Sequence, residues 1–228
     1  TGTGFLADAS GLVLTSRHIA EPWWKSEGSA PLIEAGYEPR LLLLRAFFPG
    51  RAEPVRFAIE RSRVSEEADL ALLAFEPSGP LPEPLPLAAD GAAVLGQRVV
   101  LLGYPSGLSA LLAKSEEDLS DPPTLEETID PVRLLDDLAA RGLVRPLPTQ
   151  GHIGDVLPAK VLYDAATAVG ASGGPVLDLQ GRVVAINYGL LKSFRAANFG
   201  VPVRFARALL QSAPVSSRST ESRSTPTK

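Results

Sequence analysis

Apolar positions along the chain fall in short blocks separated by Gly, Pro, Asp and Ser. Residues 3–7 and 11–15 read as two strands joined by Asp8-Ala9-Ser10, and 40–48, 55–61 and 69–75 follow at strand length. Within the third block, Leu41-Leu42-Leu43-Leu44 ahead of Arg45 reads as a buried strand. The pattern resumes over 97–104, 151–157, 160–163, 175–179, 182–188 and 198–203. Many short strands with turn signals between them predict an all-β barrel or sandwich rather than alternating βαβ units. The proline-rich stretch 77–86 reads as a linker, because proline cannot donate into a strand ladder.

Two regions break the pattern. Residues 108–143 carry helical spacing, with Val132, Leu134, Leu135, Leu138 and Leu143 among the apolar positions, and are expected to form one or two helices inserted between strands. The carboxylates Glu116, Glu117, Asp118, Asp121, Glu126, Glu127 and Asp130 could serve a cation or a basic partner, but a charge run of this kind is expected to be a solvated face. Residues 204–211 read as a C-terminal helix. The Ser/Thr-rich segment 212–228 has no aromatic residue and is expected to be a disordered tail or linker.

Composition narrows the field. The chain has 228 residues, 45% of them hydrophobic, enough for one all-β domain or two small halves. A net charge of −4 argues against a nucleic-acid binder. No apolar stretch approaches the length that spans a bilayer, so no membrane contact is expected of this segment. With 0 cysteines, disulfides and cysteine-held metals are excluded. No metal or cofactor is called for. The absence of methionine suggests a processed or excised segment from which any targeting sequence has been removed.

The candidate chemistry centres on Gly170-Ala171-Ser172-Gly173-Gly174-Pro175. Serine becomes a useful nucleophile when backbone amides point at a developing oxyanion and a base lies within reach. The stretch fits two hydrolase motifs, one of them the G-x-S-x-G elbow, and it also fits a glycine-rich turn with an incidental serine. The chain has 2 histidines, His18 and His152. His18 sits where a strand ends, a good place to present a side chain into a cleft. His152 lies within a β segment and is expected to be a packed or surface residue. The elbow order of Ser, acid, His fails, because no histidine follows Ser172 and the residues after it read as strand, turn, strand. What remains is His, Asp, Ser. The acid should then lie between His18 and Ser172. Asp69, heading the apolar run Leu70-Ala71-Leu72-Leu73, is the first candidate, and Asp164 the second.

These residues resemble the trypsin-like serine peptidases of chymotrypsin fold, and most closely their HtrA-type bacterial branch. The resemblance rests on Thr3-Gly4-Phe5-Leu6, on Leu12 to His18, on Asp69-Leu70-Ala71-Leu72-Leu73, and on Leu102-Gly103-Tyr104-Pro105-Ser106-Gly107. It continues in Asp164-Ala165-Ala166, Gly181 to Asn187, and Phe199-Gly200-Val201-Pro202. It covers about residues 1–211 apart from the acidic insert. It implies two antiparallel six-stranded β-barrels, about 1–90 and 95–203, with the site in the cleft between them. It implies Ser172 as nucleophile, His18 as base and then acid, and Asp69 as the group holding the histidine tautomer. The amides of Gly170 and Ser172 would form the oxyanion hole. Ala166, Thr167, Ala168, Asn187, Tyr188 and Gly189 would wall the pocket for the residue preceding the scissile bond.

The implied partners are peptides or unfolded proteins, with an oligomer also open, and the resemblance alone favours an extracytoplasmic setting. Ala171 departs from the pattern: trypsins carry an aspartate there that pairs with a newly cut N-terminus, so activation by that route is not expected. The missing opening strand suggests that the first barrel is truncated. The insert 108–143 would stand near the site and could gate it. Ala166 stands where trypsin holds an acid, which points to small aliphatic residues before the cut rather than Lys or Arg. A catalytically silent peptide-binding or sensor module on the same fold is the competing function.

Overall fold

The computed structural model describes residues 1–104, 131–190 and 197–212. The acidic run 116–130 and the tail beyond residue 212 lie outside the described residues, as does most of the insert.

The C-terminal half is a closed barrel of β7 (Arg98–Gly103), β8 (Leu147–Leu157), β9 (Lys160–Tyr163), β12 (Asn198–Pro202), β11 (Val183–Leu190) and β10 (Pro175–Leu177), each antiparallel to its neighbours. Alternation along β7 and β9 helps build its interior. Along β7, Val99 and Leu101 point in, and along β9 Val161 and Tyr163 do, meeting Ile153, Val176, Val184 and Ala185.

The N-terminal half is a four-stranded sheet in the order β1 (Gly4–Asp8), β2 (Leu12–Thr15), β6 (Ala71–Ala74), β5 (Ala58–Val64). A separate two-stranded ribbon joins β3 (Arg45–Ala46) to β4 (Val55–Arg56). Among the described residues this half does not close into a ring. Its outer β1 edge is instead covered by the chain between the halves, where Leu85 N–H donates to Leu6 C=O at 2.9 Å.

Two sequence expectations are corrected here. Leu41 to Leu44 form no strand, and Leu42 is 86% exposed. Pairing begins only where Phe57 N–H reaches Leu44 C=O, so Leu41 to Leu43 have no backbone partner among the described residues. The proline-rich stretch is not a free linker. Leu85 and Leu87 pack on the core, Leu87 bridges Val183, and Ala88 N–H donates to Val183 C=O at 2.9 Å. The prolines donate nothing, but the residues between them sew this strap to both halves.

Strands β1, β2 and β6 of the N-terminal sheet bury side chains on both faces. Leu6, Val13, Ala71 and Leu73 face its own core with Phe48, Phe57 and Phe75. Phe5, Leu14 and Leu72 face the other way, onto Leu177, Val183, Ile186 and Val201 of the barrel. That double burial is why β6 is apolar at every position. The helix α4 (Val203–Gln211) follows β12 and lays Ala206 and Leu209 into the same seam.

Of the insert, helix α3 (Pro131–Ala140) is described. Its Leu138 and Ala139 are buried with Val144, against Phe47 of the N-terminal half and Tyr104 at the end of β7. Burial pushes the Tyr104 hydroxyl up to about 12. The unfolded chain therefore ionises this tyrosine first. Stability should fall as pH rises from about 10 to about 12, and Tyr104→Phe should lessen that fall, read from denaturant midpoints across the range.

Candidate active site

The one-turn helix α1 (Arg17–Ala20) begins directly after β2, with Ser16 as its fully buried N-cap residue. Arg17 ties this turn to the next loop, donating to Ser65 C=O at 2.9 Å and to Glu21 Oε2 at 2.7 Å. The Ser65 hydroxyl in turn accepts the Ala68 N–H at 3.1 Å, shaping the loop that presents Asp69.

Asp69 gives both carboxylate oxygens to His18. Oδ1 accepts the His18 backbone N–H at 3.0 Å, and Oδ2 lies 2.6 Å from Nδ1. An ionised carboxylate only accepts, so Nδ1 carries the proton and Nε2 of the neutral ring is left as a proton acceptor. The Asp69 side chain is 12% exposed and that of His18 is 33% exposed, so the acid is sheltered and the base faces outward. Asp164 plays no part in this contact. Its Oδ1 accepts the backbone N–H of His152 at 2.5 Å, and His152 is exposed on β8 opposite Arg98.

Ser172 sits half-buried in a turn threaded between the halves. Gly173, at φ +87, packs so closely that a Cβ would fall on the Thr3 carbonyl and the Thr15 hydroxyl, which is a requirement for glycine. Asn187 C=O accepts both Gly173 N–H at 2.6 Å and the Ser16 hydroxyl at 3.2 Å, joining the Ser172 turn to the residues leading into His18. The Ser172 hydroxyl makes no hydrogen bond among the described residues.

The amides of the turn divide into two sets. Ala171 N–H donates to Ala168 C=O, Gly173 N–H to Asn187 C=O, and Gly174 N–H to Ala171 C=O. The N–H groups of Gly170 and Ser172 take no partner among the described residues. Gly170 has φ +98. Ala171 is fully buried against Gly103, where a Cβ on residue 103 would lie 3.1 Å from its methyl.

The expected pocket residues separate by role. Ala166 is exposed, and Thr167 and Ala168 are half-buried. The Thr149 hydroxyl donates to Ala166 C=O at 2.7 Å and holds this segment to β8. Asn187 is 2% exposed and its amide is fully engaged, accepting from the Tyr163 hydroxyl at 2.6 Å and donating to Ala171 C=O at 2.9 Å and Thr167 Oγ1 at 3.3 Å. It organises the site from inside rather than facing a ligand. Tyr188 is the extra residue of a bulge between the pairs Asn187↔Gly200 and Gly189↔Phe199, and it stacks on Phe199 at 6.1 Å. Burial, and then the Asp69 charge, hold its hydroxyl above the usual tyrosine value. A Cβ on Gly189 would meet open space.

Sequence reasoning missed Tyr163, Asn198 and Thr3. Asn198, 2% exposed, donates to Ala165 C=O at 2.6 Å. The available signal was a polar residue within each apolar strand, and for Thr3 a hydroxyl between two glycines.

A model of the trypsin-like peptidase domain matches residues 2–186, and the chain belongs to that family. The chain is 24% identical over 211 residues to the putative serine protease HhoA of Synechocystis sp., covering 91% of this chain and 41% of HhoA. It thus spans about two fifths of the length of the curated relative it matches. That likeness agrees with the HtrA-type resemblance. Among solved structures, the serine endoprotease from Yersinia pestis superposes with a TM-score of 0.60 at 16% identity, over 92% of this chain and 56% of that one. The M. tuberculosis H37Rv protein Rv3671c, an inactive serine-to-alanine mutant, gives 0.55 at 20% identity, over 92% and 79%. Both show the chymotrypsin-like fold. Among the described residues no helix is long and apolar enough to cross a membrane, and no acidic or histidine cluster could hold a metal.

Substituting Gly173→Ala should displace the turn from Thr3 and Thr15. The expected result is a lower melting temperature together with loss of peptidase activity, measured by calorimetry and peptide cleavage on the same sample.

Proposed function

We propose that this chain is a serine endopeptidase acting through His18, Asp69 and Ser172. The observation that carries the reading is the double grip of Asp69 on His18 beside a turn whose Gly170 and Ser172 amides are unpartnered among the described residues. His18 Nε2 takes the Ser172 proton as Oγ attacks the substrate carbonyl. The oxyanion that forms is met by the two N–H groups, each such donor supporting about 2.7–4 kcal/mol of transition-state stabilisation. His18 then passes the proton to the leaving amine, and water releases the acyl group from Ser172 by the same steps in reverse. Asp69 keeps the proton on Nδ1 and stabilises the imidazolium.

Substrate is proposed to lie as an added strand along Tyr188 and Gly189. Asn187 cannot take that part, since its N–H donates to Gly174 C=O and its C=O is already an acceptor. Behind Ala166, Thr167 and Ala168, the barrel is filled by Tyr163, Asn187 and Asn198, all neutral and buried. That filling supports a shallow, uncharged pocket and a preference for small aliphatic residues before the cut. The HtrA-type likeness favours peptides or unfolded proteins as substrates and an extracytoplasmic setting.

Asp69→Asn should leave the fold intact and lower kcat by about 10⁴-fold, because an amide in its place favours the wrong histidine tautomer. A fluorogenic peptide library should show cleavage after Ala or Val ahead of Lys, Arg, Asp or Glu. Turnover unaffected by Asp69→Asn would remove the triad assignment, and cleavage mainly after charged residues would remove the pocket assignment. A folded chain that binds peptides but never cleaves them would favour the silent binding module.

A further inference from the structure

The carbonyls of the Ser172 turn are held by two residues in alternation. Asn187 holds Ala171 C=O through its side-chain amide and Gly174 C=O through its backbone N–H. Thr3 holds those of Gly170 and Ser172. Its hydroxyl donates to Gly170 C=O at 2.7 Å, and its backbone N–H donates to Ser172 C=O at 2.8 Å. Thr3 is itself fixed: its hydroxyl accepts the Tyr104 N–H at 3.1 Å, and its carbonyl accepts the Thr15 hydroxyl at 2.7 Å. At 5% exposure, every polar atom of Thr3 is thus engaged, in a place where an unmet hydrogen bond would be costly.

The turn needs such a hold. Gly170 and Gly173 both have positive φ, and glycine resists rotation little, so the backbone alone does not fix where the Gly170 and Ser172 N–H groups aim. Ala171, buried against Gly103, offers no side chain that could anchor the turn by an ion pair. The anchor arrives from the opposite half of the molecule. We propose that Thr3 is a positioning residue for the oxyanion hole, its hydroxyl and amide fixing the Gly170 and Ser172 carbonyls so that the neighbouring N–H groups stay turned to the cleft. The proposal rests on the serine peptidase reading and adds that the hole is complete only while the two halves are docked.

The test compares Thr3→Val, which keeps the branched shape and drops the hydroxyl, with Thr3→Ser, which keeps the hydroxyl. Amide hydrogen exchange over residues 165–175 reads the clamp without any turnover. In Thr3→Val it should speed up by about tenfold or more while exchange in β7 and β8 is unchanged, and in Thr3→Ser it should match wild type. On a cleaved peptide, kcat of Thr3→Val should fall by about 10–100-fold, less than the 10²–10³ of losing a donor outright. KM should stay within about threefold, and affinity for a peptide boronate should fall in step with kcat.

Unchanged exchange at 165–175 in Thr3→Val would overturn the proposal. So would a Thr3→Ser variant as impaired as Thr3→Val, which would make the residue a packing group. A wild-type chain that cleaves nothing, yet loosens at 165–175 when Thr3 becomes Val, would support the clamp and sink the peptidase reading instead.

Discussion

Asn187 is the point on which the two halves of this protein meet. Its carbonyl accepts the Ser16 hydroxyl from one half and the Gly173 N–H from the other, and its side chain ties Tyr163, Thr167 and Ala171 together. All of this but Thr167 is buried, where a lost partner leaves a group unmet at about 1–3 kcal/mol. Around it the seam is apolar: Phe5, Leu14 and Leu72 against Leu177, Val183 and Ile186. The apolar contact brings the halves together without choosing a register. The polar groups choose it, because only one alignment satisfies them all.

That alignment is also what composes the site. His18 and Asp69 both belong to the N-terminal half. Ser172 belongs to the barrel. The proposed mechanism puts a nucleophile and its base on separate halves and so needs a precise docking, and the crossing bonds from Thr3 and Ser16 lie within a few residues of each. The strap 85–88, bonded to β1 and to Val183, shortens the connection and limits how far the halves can part. Helix α3 adds a further crossing contact, with Asp136 3.3 Å from Arg45 and Leu138 packed near Phe47 and Tyr104.

Much of this was legible in the sequence, and the limit has a physical origin. His18, Asp69 and Ser172 stood out because few residue types do this chemistry, and their order along the chain excluded the elbow hydrolases. The barrel strands were legible as short apolar runs between turn signals, as in residues 97–104. Leu41 to Leu44 misled because hydrophobicity says that a segment would gain from pairing, not that a partner strand is there. The stretch 77–86 misled in the opposite way, since its prolines masked the Leu85 N–H, which pairs with Leu6, and the Pro86 carbonyl, which accepts the Val183 N–H. Thr3 and Asn198 were silent because their side chains bond backbone carbonyls far along the chain, and a carbonyl carries no residue identity.

The central claim is that Ser172 is an activated nucleophile, and the most direct measurement is reaction with a fluorophosphonate probe followed by mass spectrometry of the labelled peptide. The account predicts one adduct per chain, on Ser172, absent in Ser172→Ala and strongly slowed in His18→Ala. A folded wild-type chain that takes up no label, or one whose label survives Ser172→Ala, would contradict it.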